Sequence, residues 1–308
     1  MFTVLKGKDM KEETQVGDIN DLQVQNDEFE DLQETPKPQQ EPLHAPQTSH
    51  SRPDSELFLA PKDMVTLPSL GKVYPVGTAL HNVEQVEVRH LTAADEDILT
   101  SRSLLRTGKA IDSLLSNCLV DKSIKPEELL SGDKNAILTY LRVSGYGPEY
   151  DVEISCPGCG EDVKHSFDMS TLEMNPLELE PVVVGENRFE FQLPSGDNVT
   201  FKFLNSLEER QISEAQEKIK KATNSPIDKN ITTRLKHQIV SVNGEADLGF
   251  ISKYVDAMPV RDSRSFRKHL EVNDPDVIMK QDYTCNMCGV SQEVDIPITV
   301  SFFWPDAD

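Results

Sequence analysis

Two stretches share one pattern, Cys156-Pro157-Gly158-Cys159-Gly160 and Cys285-Asn286-Met287-Cys288-Gly289: a pair of cysteines spaced by two residues and followed by glycine. A tight turn of this length aims both sulfurs at a common point, and the glycine tolerates the positive φ that such a turn often requires. We call each stretch a knuckle. Two knuckles supply four thiolates, the complete ligand set of a tetrahedral structural Zn²⁺ site.

The sequence therefore predicts one metal site with the ligands Cys156, Cys159, Cys285 and Cys288. Zn²⁺ is the expected ion, and iron in a rubredoxin-like site is the less favoured alternative, because four cysteines do not by themselves separate the two metals. A closed shell of thiolates leaves no open position for a substrate, so the ion is expected to be structural. His165, on the alternating stretch after the first knuckle, is a weak candidate for a substitute ligand.

Alternating sequences flank both knuckles, which predicts a strand on either side of each turn. This arrangement is typical of a zinc ribbon in two halves, predicted for residues 150–174 and 281–308. Residues 160–284 separate the two cysteine pairs. The ion would therefore tie the middle of the chain to its end, and its binding free energy would contribute to folding.

The rest of the sequence predicts an α+β fold in which the ribbon joins two further segments. Residues 57–149 carry repeated helical periodicity and form a mainly helical segment. Residues 175–280 form an inserted segment with a β-hairpin and several helices. Residues 1–56 combine acidic clusters with many prolines and cannot bury enough apolar surface to fold, so we expect a disordered acidic tail.

Several local signals place individual elements. Thr92 can cap a helix whose first turn contains Asp95, which favours a capping role over a catalytic carboxylate. Arg188–Leu193 and Val199–Phe203 alternate around a turn and predict a hairpin. Ser206 to Glu209 reads as a capping box, and Ile231–Val242 is expected to be one helix.

The composition favours a cytosolic protein that does not bind nucleic acid. The chain of 308 residues has a formal net charge of −22, which opposes contact with phosphate. It has neither a signal-peptide pattern nor an apolar run long enough to cross a bilayer, so no membrane partner is expected. Its five cysteines occur as two close pairs plus Cys118, which indicates metal binding in a reducing compartment and a small buried side chain at Cys118.

Signatures of catalysis are absent from the sequence. We find no nucleophile elbow, no zinc-protease helix motif and no glycine-rich phosphate loop. The sequence predicts no catalytic residues and no enzyme. A metal-dependent or redox enzyme stays open as an alternative only if the metal site is open or labile.

An aromatic cluster, Phe302-Phe303-Trp304, lies at the C-terminal end of the sequence. Two interpretations are possible for it. The rings can pack over the ribbon, because aromatic side chains dominate cores. They can also form a docking patch for another protein, because exposed aromatic residues are typical anchors of interfaces.

Three longer motifs suggest a family. They are Leu67-Pro68-Ser69-x-Gly71-x-x-Tyr74-Pro75, Arg89-x-Leu91-Thr92-Ala93-x-Asp95-Glu96-x-Ile98-Leu99-Thr100-Ser101 and Leu130-x-Gly132-Asp133-Lys134-x-Ala136-Ile137. Together with the first knuckle and the aromatic end, they resemble the T4-type baseplate proteins of phages with contractile tails. The resemblance covers residues from about 60 to 308.

This resemblance implies a subunit of the baseplate hub or a factor that assembles it. The partners would be other hub or tail proteins. The chain would meet them in the host cytoplasm during assembly, and the finished virion tail is its second expected location. The family implies no catalytic residues. A nucleic-acid-binding zinc ribbon is the alternative function, and it requires a local basic face despite the net charge of −22.

Overall fold

Helices and small antiparallel sheets alternate along the chain in the computed structural model, which describes residues 60–223, 230–296 and 302–303. All of them belong to one compact unit, Pro53–Asp308. The α+β class expected from the sequence is confirmed. The acidic tail predicted for residues 1–56 lies outside the described residues, and the segment boundaries at 149/150 and 280/281 stay predictions.

The helices and strands are numbered in the order in which they occur along the chain. The helices are α1 (Ala93–Thr100), α2 (Arg102–Arg106), α3 (Ala110–Cys118), α4 (Ser131–Tyr146), α5 (Ser206–Thr223), α6 (Asn230–Gln238), α7 (Leu248–Ala257) and α8 (Val260–Asn273). The strands are β1 (Lys62–Thr66), β2 (Gln85–Arg89), β3 (Glu149–Ser155), β4 (Asp162–Asp168), β5 (Met174–Asn175), β6 (Phe189–Gln192), β7 (Asn198–Phe201), β8 (Ile239–Val242), β9 (Asp276–Val277), β10 (Lys280–Thr284) and β11 (Ser291–Asp295). Short 3-10 helices lie at Pro126–Glu128 and Met169–Thr171.

The start of α1 is fixed by a capping box, as the sequence predicts. The Thr92 side chain meets the first-turn amide while the Asp95 carboxylate accepts from the Thr92 backbone N–H. Asp95 is fully buried and also accepts two hydrogen bonds from Arg89 and one from Asn117. These contacts tie α1 to β2 and α3, so Asp95 is a structural carboxylate.

A second buried carboxylate joins the turn after β1 to the start of α4. Asp133 is fully buried and accepts hydrogen bonds from the Ser69 amide at 2.9 Å, the Ser69 hydroxyl at 2.6 Å and the Tyr74 hydroxyl at 2.5 Å. The Tyr74 oxygen in turn accepts the Leu130 N–H at 3.0 Å. Burial raises the pKa of Tyr74 well above its usual value, so the hydroxyl stays protonated and donates.

We expect Tyr74→Phe to lower the free energy of unfolding by about 2 kcal/mol, because it leaves Asp133 short of a donor and the Leu130 N–H without an acceptor in the core. Tyr140→Phe is the matched control. It removes a similar bond to a carboxylate, from Tyr140 to Asp63 at 2.6 Å, but at an exposed position. Urea unfolding should show a loss below about 1 kcal/mol for the control. If the two variants lost equal free energy of unfolding, the buried network would not contribute more to stability than the exposed hydrogen bond.

The inserted segment is built on a three-stranded sheet in the order β6-β7-β8. The β6–β7 hairpin confirms the prediction from the alternating sequence. The prediction of a single helix over Ile231–Val242 is wrong at its C-terminal end. The helix α6 ends at Gln238, and Ile239–Val242 forms the strand β8. The reason is tertiary, since the β-branched Ile239 and Val242 enter the core by pairing with β7.

The predicted capping box of α5 is displaced by one residue. Asn205, not Ser206, is the cap: its side chain accepts from the Glu208 N–H at 2.9 Å, and Glu208 accepts from the Asn205 N–H at 3.1 Å. Glu209 is thereby released for a two-bond contact with Arg234 of α6. Asparagine is as good a cap as serine, and the register follows the pairing of Leu130 with Asn205.

The inserted segment leaves and rejoins the chain through a narrow neck. Here β5 pairs with β9, Met174 opposite Val277 and Asn175 opposite Asp276. The Asn175 side chain also donates to the carbonyl oxygens of Val272 and Asp274. The neck therefore brings the segments that follow β4 and precede β10 side by side.

Candidate metal centre

Two β-hairpins carry the knuckles, as expected. β3 pairs with β4 in full register from Glu149–Asp168 to Ser155–Asp162, and β10 pairs with β11 from Lys280–Asp295 to Thr284–Ser291. Each knuckle is the turn of its hairpin. Because β5 and β9 pair just outside the hairpins, both turns are presented on the same side of the neck.

The two knuckles have the same backbone geometry. The Gly160 N–H donates to the Cys156 carbonyl at 2.7 Å, and the Gly289 N–H donates to the Cys285 carbonyl at 2.9 Å. Both glycines have positive φ, 76° and 71°. This is the left-handed conformation for which the sequence predicts glycine at these positions.

The four sulfurs converge on one point. All ligand atoms of Cys156, Cys159, Cys285 and Cys288 lie within 4.8 Å of one another. The Cys156–Cys288 and Cys159–Cys285 sulfur pairs are 3.7 and 3.9 Å apart. A tetrahedron with metal–sulfur bonds of ~2.3 Å has edges of about 3.8 Å. The four cysteines are therefore close enough together to hold one metal ion.

The surroundings of Cys156 and Cys285 favour thiolates, whereas the pKa values of the Cys159 and Cys288 thiols are raised. The Gly158 N–H donates to Cys156 Sγ at 3.3 Å, and the Met287 N–H donates to Cys285 Sγ at 3.4 Å. The Tyr283 hydroxyl is buried beside Cys285. Its proximity to Cys285 is the main reason that the pKa of this thiol is lowered to about 6. Four neighbouring thiolates repel one another, and a bound cation offsets this repulsion, so the donor set fits a metal.

Close packing joins the two knuckles around the sulfurs. A Cβ added at Gly158 would lie 2.9 Å from Val290 Cγ2 and 3.3 Å from Cys288 Sγ. The equivalent position in the second knuckle is Met287, whose side chain is 73% exposed. The knuckles thus meet asymmetrically, with glycine required on one side. The sequence gives no signal that distinguishes Gly158 from an ordinary turn glycine.

His165 and Cys118 are not part of the cluster. His165 packs edge-on against Phe167 and Tyr283, with ring centroids 4.6 and 5.1 Å apart, and so links β4 to β10. Cys118 is fully buried at the end of α3, as predicted for a small apolar side chain. Among the residues that the structure describes, the four knuckle cysteines are the one group of three or more His, Cys, Asp or Glu side chains close enough together to hold a metal ion.

Comparison with models of known protein families gives a match over most of the chain. The family model described as T4 bacteriophage base plate protein matches residues 61–304, which is most of the chain. The chain belongs to this family. No curated protein and no solved structure matches it.

Family membership confirms the resemblance seen in the sequence motifs and supports a structural role in the phage baseplate, as a component of the virion tail that contacts other tail proteins. The motif residues now have a physical explanation in this baseplate protein. Ser69, Tyr74 and Asp133 form one buried network, and Arg89 and Asp95 form another. These motifs therefore stabilise the fold.

The aromatic end of the baseplate protein is buried where it is described. Phe302 and Phe303 are 2% and 4% exposed, and Phe302 packs edge-on against Tyr150 of β3 at 5.5 Å between centroids. This favours packing over the hairpins and leaves neither ring free for a partner. Trp304, the third residue of the expected docking patch, lies outside the described residues.

The exposed surface of the two hairpins is acidic. The carboxylates of this surface outnumber its two lysines, Lys164 and Lys280. They are Glu149, Asp151, Glu153, Glu161, Asp162, Asp168, Asp282, Glu293 and Asp295. Such a surface repels a phosphate backbone, so the described part of the baseplate protein provides no support for a nucleic-acid-binding ribbon. None of its described helices is both long and apolar enough to cross a membrane.

Proposed function

We propose that this chain is a docking subunit or assembly factor of the baseplate hub, locked in shape by a structural Zn²⁺ bound to Cys156, Cys159, Cys285 and Cys288. The convergence of four sulfurs within 4.8 Å, in a chain of the baseplate family, is the observation that carries the proposal. The protein acts by contact with other tail proteins, and no catalytic step is involved.

The donor set supports a structural role over a reactive one, and Zn²⁺ stays the preferred ion. Four cysteine ligands close a tetrahedral shell, and Zn²⁺ has no redox chemistry that would oxidise them. Cys156 and Cys285 are almost fully buried, which shields half of the ligand set from solvent. The two hairpins then form the halves of a zinc ribbon, as the sequence suggested.

The ion fixes the orientation of the hairpins that carry the acidic surface. Without it, the hairpins are held together at the neck, by side-chain contacts such as Gln281 to Thr171 at 2.9 Å, and by the packing of Gly158 against Val290, and no ligand bonds join the turns. With it, the carboxylates of both hairpins are presented in one arrangement. A basic surface on a neighbouring tail protein is the complementary partner. Docking takes place in the host cytoplasm, and the protein then enters the tail with its partners.

The test is affinity capture of a tagged chain from infected cells, with identification of bound proteins by mass spectrometry. We expect hub or tail-tube proteins with the wild type, and recovery at least about tenfold lower with Cys159→Ser. Cys159 is exposed, so this change removes a ligand with little effect on packing. Capture of nucleic acid alone, or of no tail protein, would contradict the docking function. Equal capture by both proteins would contradict the role of the metal in it.

A further inference from the structure

A groove with a volume of ≈ 390 Å³ lies between α6 and the last turn of α8, away from the knuckles. Its walls are largely apolar and include Ile231, Leu235 and Leu270. Leu235 and Leu270 are buried, whereas Ile231 is 48% exposed. The groove is thus an apolar slot with one exposed apolar side chain at its rim.

One acidic side chain of the groove lacks a partner. Asp274 lines it, and within the described part of the chain no hydrogen bond reaches its carboxylate. Only its backbone carbonyl is bonded, by Asn175 at 2.8 Å. Asp274 directly follows α8, where the helix carbonyls add partial negative charge. This part of the groove therefore favours a positive group.

Arg234, which lines the groove, favours the ionised form of Asp274, but no hydrogen bond joins the two side chains among the described residues, and the carboxylate is only partly compensated. Arg234 is engaged by Glu209 through two bonds of 2.9 and 2.5 Å. Asp276 adds negative charge and is bonded by Asn135. Arg267 and Glu271, which also line the groove, are exposed and opposite in sign. Burial, followed by the charge of Asp276, raises the pKa of Asp274 to about 7, which reflects how poorly the carboxylate is compensated.

We propose that this groove receives a lysine or arginine side chain of a partner protein in the baseplate. The methylene stem packs on Ile231, Leu235 and Leu270, and the cationic head pairs with the Asp274 carboxylate. Long basic side chains combine an apolar stem and a charged tip in this way. A protein partner is favoured over a free amine because it also covers the exposed Ile231, and because the net charge of −22 attracts basic partners.

The test uses three capped tripeptides with a central lysine, arginine or norleucine, titrated into the full chain and followed by the amide NMR signals of α6 and α8. Norleucine keeps the stem and lacks the charge. We expect saturable shifts with lysine or arginine, with Kd on the order of millimolar, and at least tenfold weaker binding of norleucine. Asp274→Asn should weaken the basic peptides at least tenfold. Ile231→Ala, at an exposed position that does not bear on folding, should weaken all three.

The matched control is Asp256→Asn, which removes an exposed carboxylate of α7 that pairs with Lys236 and should leave binding unchanged. Equal binding of norleucine, wild-type affinity in Asp274→Asn, or no saturable shift with any peptide would overturn the proposal. This proposal rests on the proposed docking function but does not depend on metal binding by the knuckles. If hub proteins are captured equally by the wild type and Asp274→Asn, the groove proposal fails while the docking function stands.

Discussion

Cys159→Ser is expected to purify without its metal ion. The wild type should contain one equivalent of zinc per chain by elemental analysis, without the visible absorption that iron–thiolate sites show. Removing one of four ligands opens the shell and exposes the ion to solvent and competing chelators. We expect the free energy of unfolding to fall by about 4 kcal/mol, the linkage for a free ligand concentration ~1,000-fold above its Kd.

The loss should be localised, because the neck holds the bases of the hairpins independently of the metal. Met174 pairs with Val277, and the buried Tyr150, Phe167 and Tyr283 remain in the core. Amide hydrogen exchange should therefore accelerate most in β3–β4 and β10–β11, where local opening adds to the global loss of stability, and less in α4 and the β6–β7–β8 sheet.

Cys118→Ala separates metal loss from general destabilisation. Cys118 is fully buried outside the knuckles, so its truncation should reduce stability slightly and leave the zinc content unchanged. If Cys159→Ser retained a full equivalent of metal and normal exchange in the hairpins, the four-cysteine site would be wrong. If the wild type showed the visible absorption of an iron–thiolate site, the bound metal would be iron instead of zinc, and the assignment of the four cysteine ligands would stand.

Gly132→Ala is expected to destabilise the protein by about 3 kcal/mol or more. Alanine normally stabilises a helix relative to glycine by about 1 kcal/mol, so the sign is reversed here. The reason is the close approach of α4 to the neck: a Cβ at Gly132 would lie 1.7 Å from the Pro275 carbonyl oxygen and 2.8 Å from the Asp276 Cα. Both are backbone atoms, so either α4 or the strand β9 has to move.

Gly145→Ala, in the same helix, is the control for this change. Its added Cβ would meet the Leu91 side chain, with Cδ1 at 2.7 Å, and a leucine side chain can rotate away. Chemical unfolding should place Gly145→Ala within about 1 kcal/mol of the wild type. If the two alanine variants were equally stable, Gly132 would not lie as close to the Pro275 carbonyl as described above.

The sequence predicted the parts of the molecule that depend on short-range patterns. The knuckles, their flanking strands and the cap at Thr92 were all predicted, because spacing and alternation encode them within a few residues. The convergence of the sulfurs also followed, since four thiolates make one metal shell.

Features that depend on distant contacts were missed or misplaced. The sequence of β8 predicts a helix, and only its pairing with β7 makes it a strand. The cap of α5 is Asn205 instead of Ser206, because Leu130 pairs with Asn205. The sequence gives no sign that the Asp133 carboxylate accepts a hydrogen bond from Ser69, which lies 64 residues earlier. Nothing in the sequence around Gly132 indicates that this residue lies against the backbone of Pro275 and Asp276.

The wide separation of the knuckles has a consequence for synthesis. Cys285 follows Cys159 by 126 positions, so the first thiol pair leaves the ribosome well before the second exists. During that interval Cys156 and Cys159 are an unpaired dithiol, open to oxidation or to ions of the wrong kind. A metal ion held by all four cysteines, as proposed above, can be enclosed only after Cys288 has been translated, so its capture would be a late step that marks a finished chain.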